Sequence, residues 1–159
     1  MRRRSGISNR HLIFNLSIIL IPWLTMIFFG KRNLKRFTVA GVVTTVVEIL
    51  NHMIGKKLGW WEFFDKDKSF VKNELPFDLG PYMPMSMWIL RFTYGNFKKF
   101  LLLNTLADGL FTIPVMPLLK KMKIIRLHRL SYLQFFIYIF YKAFILYGVQ
   151  YWVENRRNS

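Results

Sequence analysis

The chain reads as an all-α protein, a polytopic transmembrane helical bundle. Three observations predict that class. Hydrophobic residues make up 53% of the 159, and they fall in blocks instead of alternating with polar ones. The Lys and Arg residues gather at the ends of those blocks, as they do where helices leave a bilayer. The blocks approach the ~20 residues that a helix needs to cross a ~30 Å hydrocarbon core. A soluble domain of this length would alternate apolar and polar faces throughout. A single transmembrane domain of about five spans is expected, or four if the first dips in and returns.

The first span, residues 12–29, reads LIFNLSIILIPWLTMIFF and follows Arg2, Arg3, Arg4 and Arg10. Such a start resembles a signal peptide. No small-residue cleavage site follows, and GKRNLKR comes directly after, so the segment reads as an uncleaved anchor. Pro22 lacks an amide and crowds the preceding turn, which predicts a kink. The second span, residues 37–54, is rich in Val and Thr. In the third, residues 79–97, Pro81 and Pro84 break the start and Arg91 interrupts the end. Pro114, Pro117 and a basic run close the fourth, residues 100–119. The fifth, residues 130–153, is the longest and most aromatic.

Residues 55–78 read as a polar interfacial loop. Trp60, Trp61, Phe63 and Phe64 suit headgroup depth, where an amphipathic ring is at home. Asp65 and Asp67 offer carboxylates to a cation, but Lys66 and Lys68 interleave them. An oxygen cage needs uncompensated carboxylates. No internal repeat is visible, so an inverted-repeat transporter design has no support.

The formal charge is +16. No nucleic-acid motif accompanies it, and the basic clusters flank apolar runs, so anionic lipid headgroups are the expected partner and nucleic acid is not. With five spans and the N-terminus inside, 14 Lys and Arg fall on the inner side and 8 on the outer. That predicts a cytoplasmic N-terminus. The absence of cysteine removes disulfides and thiolate chemistry. With His11, His52 and His128 the only histidines, a multi-histidine centre would need all three, so no metal or cofactor is expected.

Polar residues nonetheless recur inside the spans. Thr44, Thr45, Glu48, Asn51, His52 and Gly55 share one face of the second span, at helical spacing. Asn104, Asp108 and Thr112 do so in the fourth; Ser131, Gln134, Tyr138, Tyr141 and Lys142 in the fifth. Arg91 adds a charge from the third. A charge at the bilayer centre costs about 2.5–3.5 kcal/mol on insertion scales. Pairing must offset it, and Lys142 is expected to meet Asp108 or Glu48. The candidate intramembrane network is therefore Glu48, Asn51, His52, Arg91, Asn104, Asp108, Gln134, Tyr138 and Lys142. Glu48 and His52, with Asp108 as a third ligand, would suit zinc or iron, but one Glu-x-x-x-His is common by chance. His-Glu-x-x-His, glycine-rich phosphate loops and Gly-x-Ser-x-Gly are all absent.

The stretches IPWLTMIFFGKRNLKRF, WWEFF, FDLGPYMPMSMWILRFTYGNF, LLLNTLADGLFTIPVM and ILYGVQYW carry a resemblance. The chain resembles a family of small uncharacterised multi-pass membrane proteins of Gram-positive spore-forming bacteria. The resemblance implies a bacterial plasma membrane and supplies no catalytic residues.

Without a reaction motif, the reading favours a structural, accessory or sensory membrane protein over an enzyme. One alternative is a small permease or proton-coupled carrier using Glu48, Asp108 and Lys142. Another is a membrane enzyme acting on a lipid or isoprenoid, with Glu48 and His52 as acid and base. So small a bundle would gain core from a homo-oligomer or a protein partner.

Overall fold

The computed structural model describes residues 9–64 and 69–159. Arg2, Arg3 and Arg4 of the basic tail lie outside the described residues, as does the Asp65 and Asp67 pair. The described chain is a helical bundle with one short ribbon. In order it forms α1 (Asn9–Thr25), a 3₁₀ turn (Met26–Phe28), α2 (Lys31–Leu58), β1 (Trp61–Phe63), α3 (Phe70–Asn73) and α4 (Leu75–Phe77). A π-helical turn (Asp78–Tyr82) leads into α5 (Met83–Thr93), and α6 (Phe97–Leu110) follows. A second π turn (Phe111–Val115), α7 (Met116–Lys121), β2 (Ile125–Leu127), α8 (Tyr132–Phe140) and α9 (Lys142–Asn158) complete it. Four continuous stretches are long and apolar enough to cross a membrane: Asn9–Phe28, Lys31–Leu58, Phe97–Lys121 and Tyr132–Asn158.

Helical structure reaches well into the segment read as a loop. The third helical stretch begins at Leu75 and ends at Thr93. Its prolines do not break it. Pro76 and Pro84 are the second residues of α4 and α5. Near them α1 side chains donate to backbone carbonyls, Asn15 to Lys72 at 2.8 Å and the Trp23 indole to Leu79 at 2.6 Å. Pro81 sits inside the π turn, which widens the helix where proline cannot donate. Pro114 occupies the other π turn in the same way.

Helix α2 is the centre of the bundle, with α9 and α5 packed along it. Helix α6 packs on α5 and α8, and α1 crosses the first π turn. That crossing is backbone to backbone: a Cβ on Gly80 would run into the Ile18 carbonyl oxygen. Helix α2 ends at Gly59 in the left-handed region (φ 68°), whose amide caps the Gly55 and Lys56 carbonyls. The chain then reverses into β1, which pairs antiparallel with β2 as Trp61↔Leu127, Glu62↔Arg126 and Phe63↔Ile125.

Two buried clusters fill the interior. One gathers Phe29, Phe37, Leu90, Phe100 and Leu146. The other gathers Trp61, Met116, Ile124, Phe135 and Tyr138 beneath the ribbon. Outward side chains such as Ile13, Ile27, Leu102, Ile113 and Leu133 are exposed, as lipid-facing positions require. The molecule is thus a membrane protein by the length and apolarity of its helices.

Candidate functional site

The polar face of α2 divides by chemistry. Thr44 and Thr45 turn their hydroxyls back to the Ala40 and Gly41 carbonyls at 2.7 Å, so they satisfy themselves within the helix. Glu48 and His52, one turn apart, have no such recourse and project into the bundle. The Lys142 ammonium contacts Glu48 Oε2. The other Glu48 oxygen, Oε1, stands 3.2 Å from His52 Nε2. His52 Nδ1 in turn lies 2.5 Å from Asp78 Oδ1. Lys142, Glu48, His52 and Asp78 therefore form one row, drawn from α9, α2 and the first π turn. Asp78 is 0% exposed, Lys142 1% and Glu48 3%.

Aromatic rings wall this row. The Lys142 ammonium lies over the Tyr138 ring at 4.3 Å and the Tyr82 ring at 5.2 Å, a geometry that stabilises a desolvated cation. His52 meets Trp61 edge to face at 5.1 Å. Trp60 and Trp61 pack on Tyr138 in turn.

The row borders a cavity of about 150 Å³. That is room for several water-sized molecules. Asn104 and Asp108 line it from α6, Ser86 and Ile89 from α5, and Trp61, Phe63 and Ile125 from the ribbon. Glu74 lines it too, and accepts a hydrogen bond from the Trp61 indole at 3.4 Å. Burial pushes the Glu74 carboxyl above its ordinary range, against the opposing pull of the Trp61 bond and Lys56.

The expected network is only partly one assembly. Glu48, His52, Asn104, Asp108 and Lys142 reach the cavity, and Tyr138 covers Lys142. Asn51 lies to one side and donates to the Tyr141 hydroxyl at 2.6 Å. Gln134 belongs elsewhere: with Ser131 it forms a capping box at the start of α8, where first-turn amides need acceptors. Arg91 also stands apart. It donates to the Phe28 carbonyl at 2.9 Å and stacks on Trp88, satisfying a helix end that lacks an intrahelical partner. The reading of the polar face missed Asp78, Glu74 and Tyr82. Asp78 and Glu74 fall in the segment read as loop, and Tyr82 between two prolines. Nothing in the spacing announces the π turn that carries Asp78 inward.

Comparison with protein-family models, with curated proteins and with solved structures gives no match.

Proposed function

We propose that the protein is a small membrane-embedded carrier whose cavity takes up a small cationic solute. The observation that supports this is the charge lining the cavity. Glu48, Glu74, Asp78 and Asp108 face it, against the single ammonium of Lys142 among its described lining residues. An enclosed site of low dielectric magnifies such an imbalance and favours a positive guest. Trp61, Phe63 and Ile125 of the ribbon line the cavity, and a solute path on that side would pass these side chains. The membrane is taken to be a bacterial plasma membrane, with the N-terminus cytoplasmic and the basic loops against anionic headgroups.

A structural or accessory role is the second reading. The burial of the Lys142–Glu48 pair between α9 and α2 favours it, because polar contacts also serve as glue between membrane helices.

Thiol accessibility separates the two. The chain has no cysteine, so each introduced one is unique. Ser86→Cys and Ala107→Cys line the cavity, whereas Leu102→Cys and Ile113→Cys face outward. In native membranes a small cationic thiol reagent should label the first two faster than an anionic one of equal size. The outward pair should stay unlabelled. Folded variants in which neither lining cysteine reacts would leave the glue reading standing and remove the carrier.

A further inference from the structure

We infer that Asp108 and Asn104 of α6 hold the ammonium group of a small organic amine, whose apolar body fills the rest of the cavity. This rests on the reading of the cavity as a chamber for a cationic solute and names the class of solute. Elimination picks out Asp108. Of the carboxylates that line the cavity, Glu48 is engaged by Lys142 and His52, and Asp78 by His52. Glu74 accepts from the Trp61 indole. Asp108 has neither a hydrogen bond nor an ion pair among the described residues. The charged groups whose fields reach it are Lys142 and Glu48, and these two cancel each other. A carboxylate that faces such a cavity without a partner is costly, and a guest cation offsets the cost.

The second observation is Asn104, one turn before Asp108 and on the same helix face. It lines the cavity and is 6% exposed. Its amide nitrogen donates to the Phe100 carbonyl at 2.9 Å, and no hydrogen bond reaches its Oδ1 among the described residues. A buried amide oxygen left in that condition calls for a donor. Ser86 lines the cavity from α5 and gives its hydroxyl proton to the Tyr82 carbonyl at 2.8 Å. These groups offer the cavity acceptors and no donor. The guest must bring its own, and a primary ammonium carries three.

The rest of the wall selects the body. Phe63, Phe77, Phe111, Phe135, Met85 and Met116 line it, with the Phe111 and Phe135 rings 6.0 Å apart. An inorganic cation such as calcium or magnesium would give up its water here for too few oxygens, since it takes about six or more. An ammonium with an apolar body gains from burying that body, and aromatic and thioether side chains suit it. The cavity, at about 150 Å³, has roughly the volume at which an apolar cavity takes up benzene. The guest that fits is therefore a primary amine whose body is no larger than a single six-membered ring.

The test is binding of benzylammonium to the full-length protein in lipid nanodiscs, read from the carbon-13 methyl signals of methionine. The ring of a bound guest should shift the Met85 and Met116 methyls, which line the cavity, and leave that of Met53 on the outer face in place. Benzyl alcohol keeps the ring without the charge. Methylammonium, followed as a competitor, keeps the charge without the ring. Each should bind at least about tenfold more weakly than benzylammonium. Asp108→Asn should weaken benzylammonium by about tenfold or more and close its gap to benzyl alcohol. His128→Ala at the exposed ribbon should change neither. The comparison of the three probes uses the unmutated protein, so it decides the matter even where Asp108→Asn fails to fold. Equal binding of benzyl alcohol would overturn the site, as would equal competition by methylammonium or undiminished binding in Asp108→Asn. If Ser86→Cys and Ala107→Cys are labelled while benzylammonium leaves Met85 and Met116 unmoved, the chamber stands and the amine falls. If neither is labelled, the chamber itself has failed.

Discussion

Two ion pairs join the same two helices, and they differ in almost everything except the charges. Arg36 of α2 meets Glu154 of α9 at 2.7 Å, with side chains 44% and 18% exposed. Twelve residues further along α2 and twelve back along α9, Glu48 meets Lys142, with side chains 4% and 1% exposed. The spacing is that of antiparallel helices in one register, about 18 Å apart at 1.5 Å per residue. The outer pair sits in a polar surround where Gln150 donates to the Arg36 carbonyl and to Glu154. The inner pair is walled by two tyrosine rings and His52 and borders the cavity. An exposed pair gains little because water competes for both partners. A buried pair carries the desolvation of both charges, so removing one partner strands the other. One register therefore has a cheap fastening at its end and a demanding one beside the cavity.

Four measurements sharpen or break that contrast. The largest effect is expected from Lys142→Ala, which leaves Glu48 buried without its cation. It should cost about 3–5 kcal/mol of stability, read from thermal unfolding in detergent. A loss no greater than that of Arg36→Ala would erase the distinction. Next, Lys142→Met combined with Glu48→Gln removes both charges at nearly constant volume. Most of the lost stability should return, since a neutral replacement of a buried pair is often harmless. A double variant as weak as Lys142→Ala would show that the pair does more than cancel itself.

Arg36→Ala should cost no more than about 1 kcal/mol, and added salt should shrink the difference from the parent. A cost that ignores salt would mean the outer pair is shielded after all. The smallest effect is expected at Glu74. Its carboxyl is raised in the folded protein by burial, so its ionised form opposes folding. Stability linked to this group is full below its unfolded pKa and is lost as pH rises through the folded value. Glu74→Gln escapes that loss, so it should melt slightly higher than the parent near neutral pH. The gain should fade as pH drops below the ordinary glutamate value of 4.5. A gain that persists in acid would assign it to packing.

How much of this was legible depended on whether the signal was local. Glu48 and His52 are four apart in an otherwise apolar helix, and helical geometry alone puts them on one face. Lys142 lies inside a greasy run, and its burial cost alone demanded an acidic partner. Gln134 misled because spacing placed it with Tyr138 and Lys142, while the start of α8 claimed it first as a cap. Arg91 misled likewise, since the helix end it serves belongs to a distant part of the chain. Asp78 was invisible because a proline-associated π turn brings it inward, and prolines in an apolar run ordinarily signal an ending.

The sequence by itself determined the membrane setting, the helical class and the helix faces that hold charge. Those follow from hydrophobic transfer and from a 3.6-residue period, both properties of neighbouring residues. The tertiary structure alone decided which acid meets Lys142, that Asp78 and Glu74 join the site, and that a cavity lies beside them. Those depend on the register between α2 and α9 and on the close crossing of α1 at Gly80. Both are set by packing between segments remote in the chain, on which local pattern carries no information.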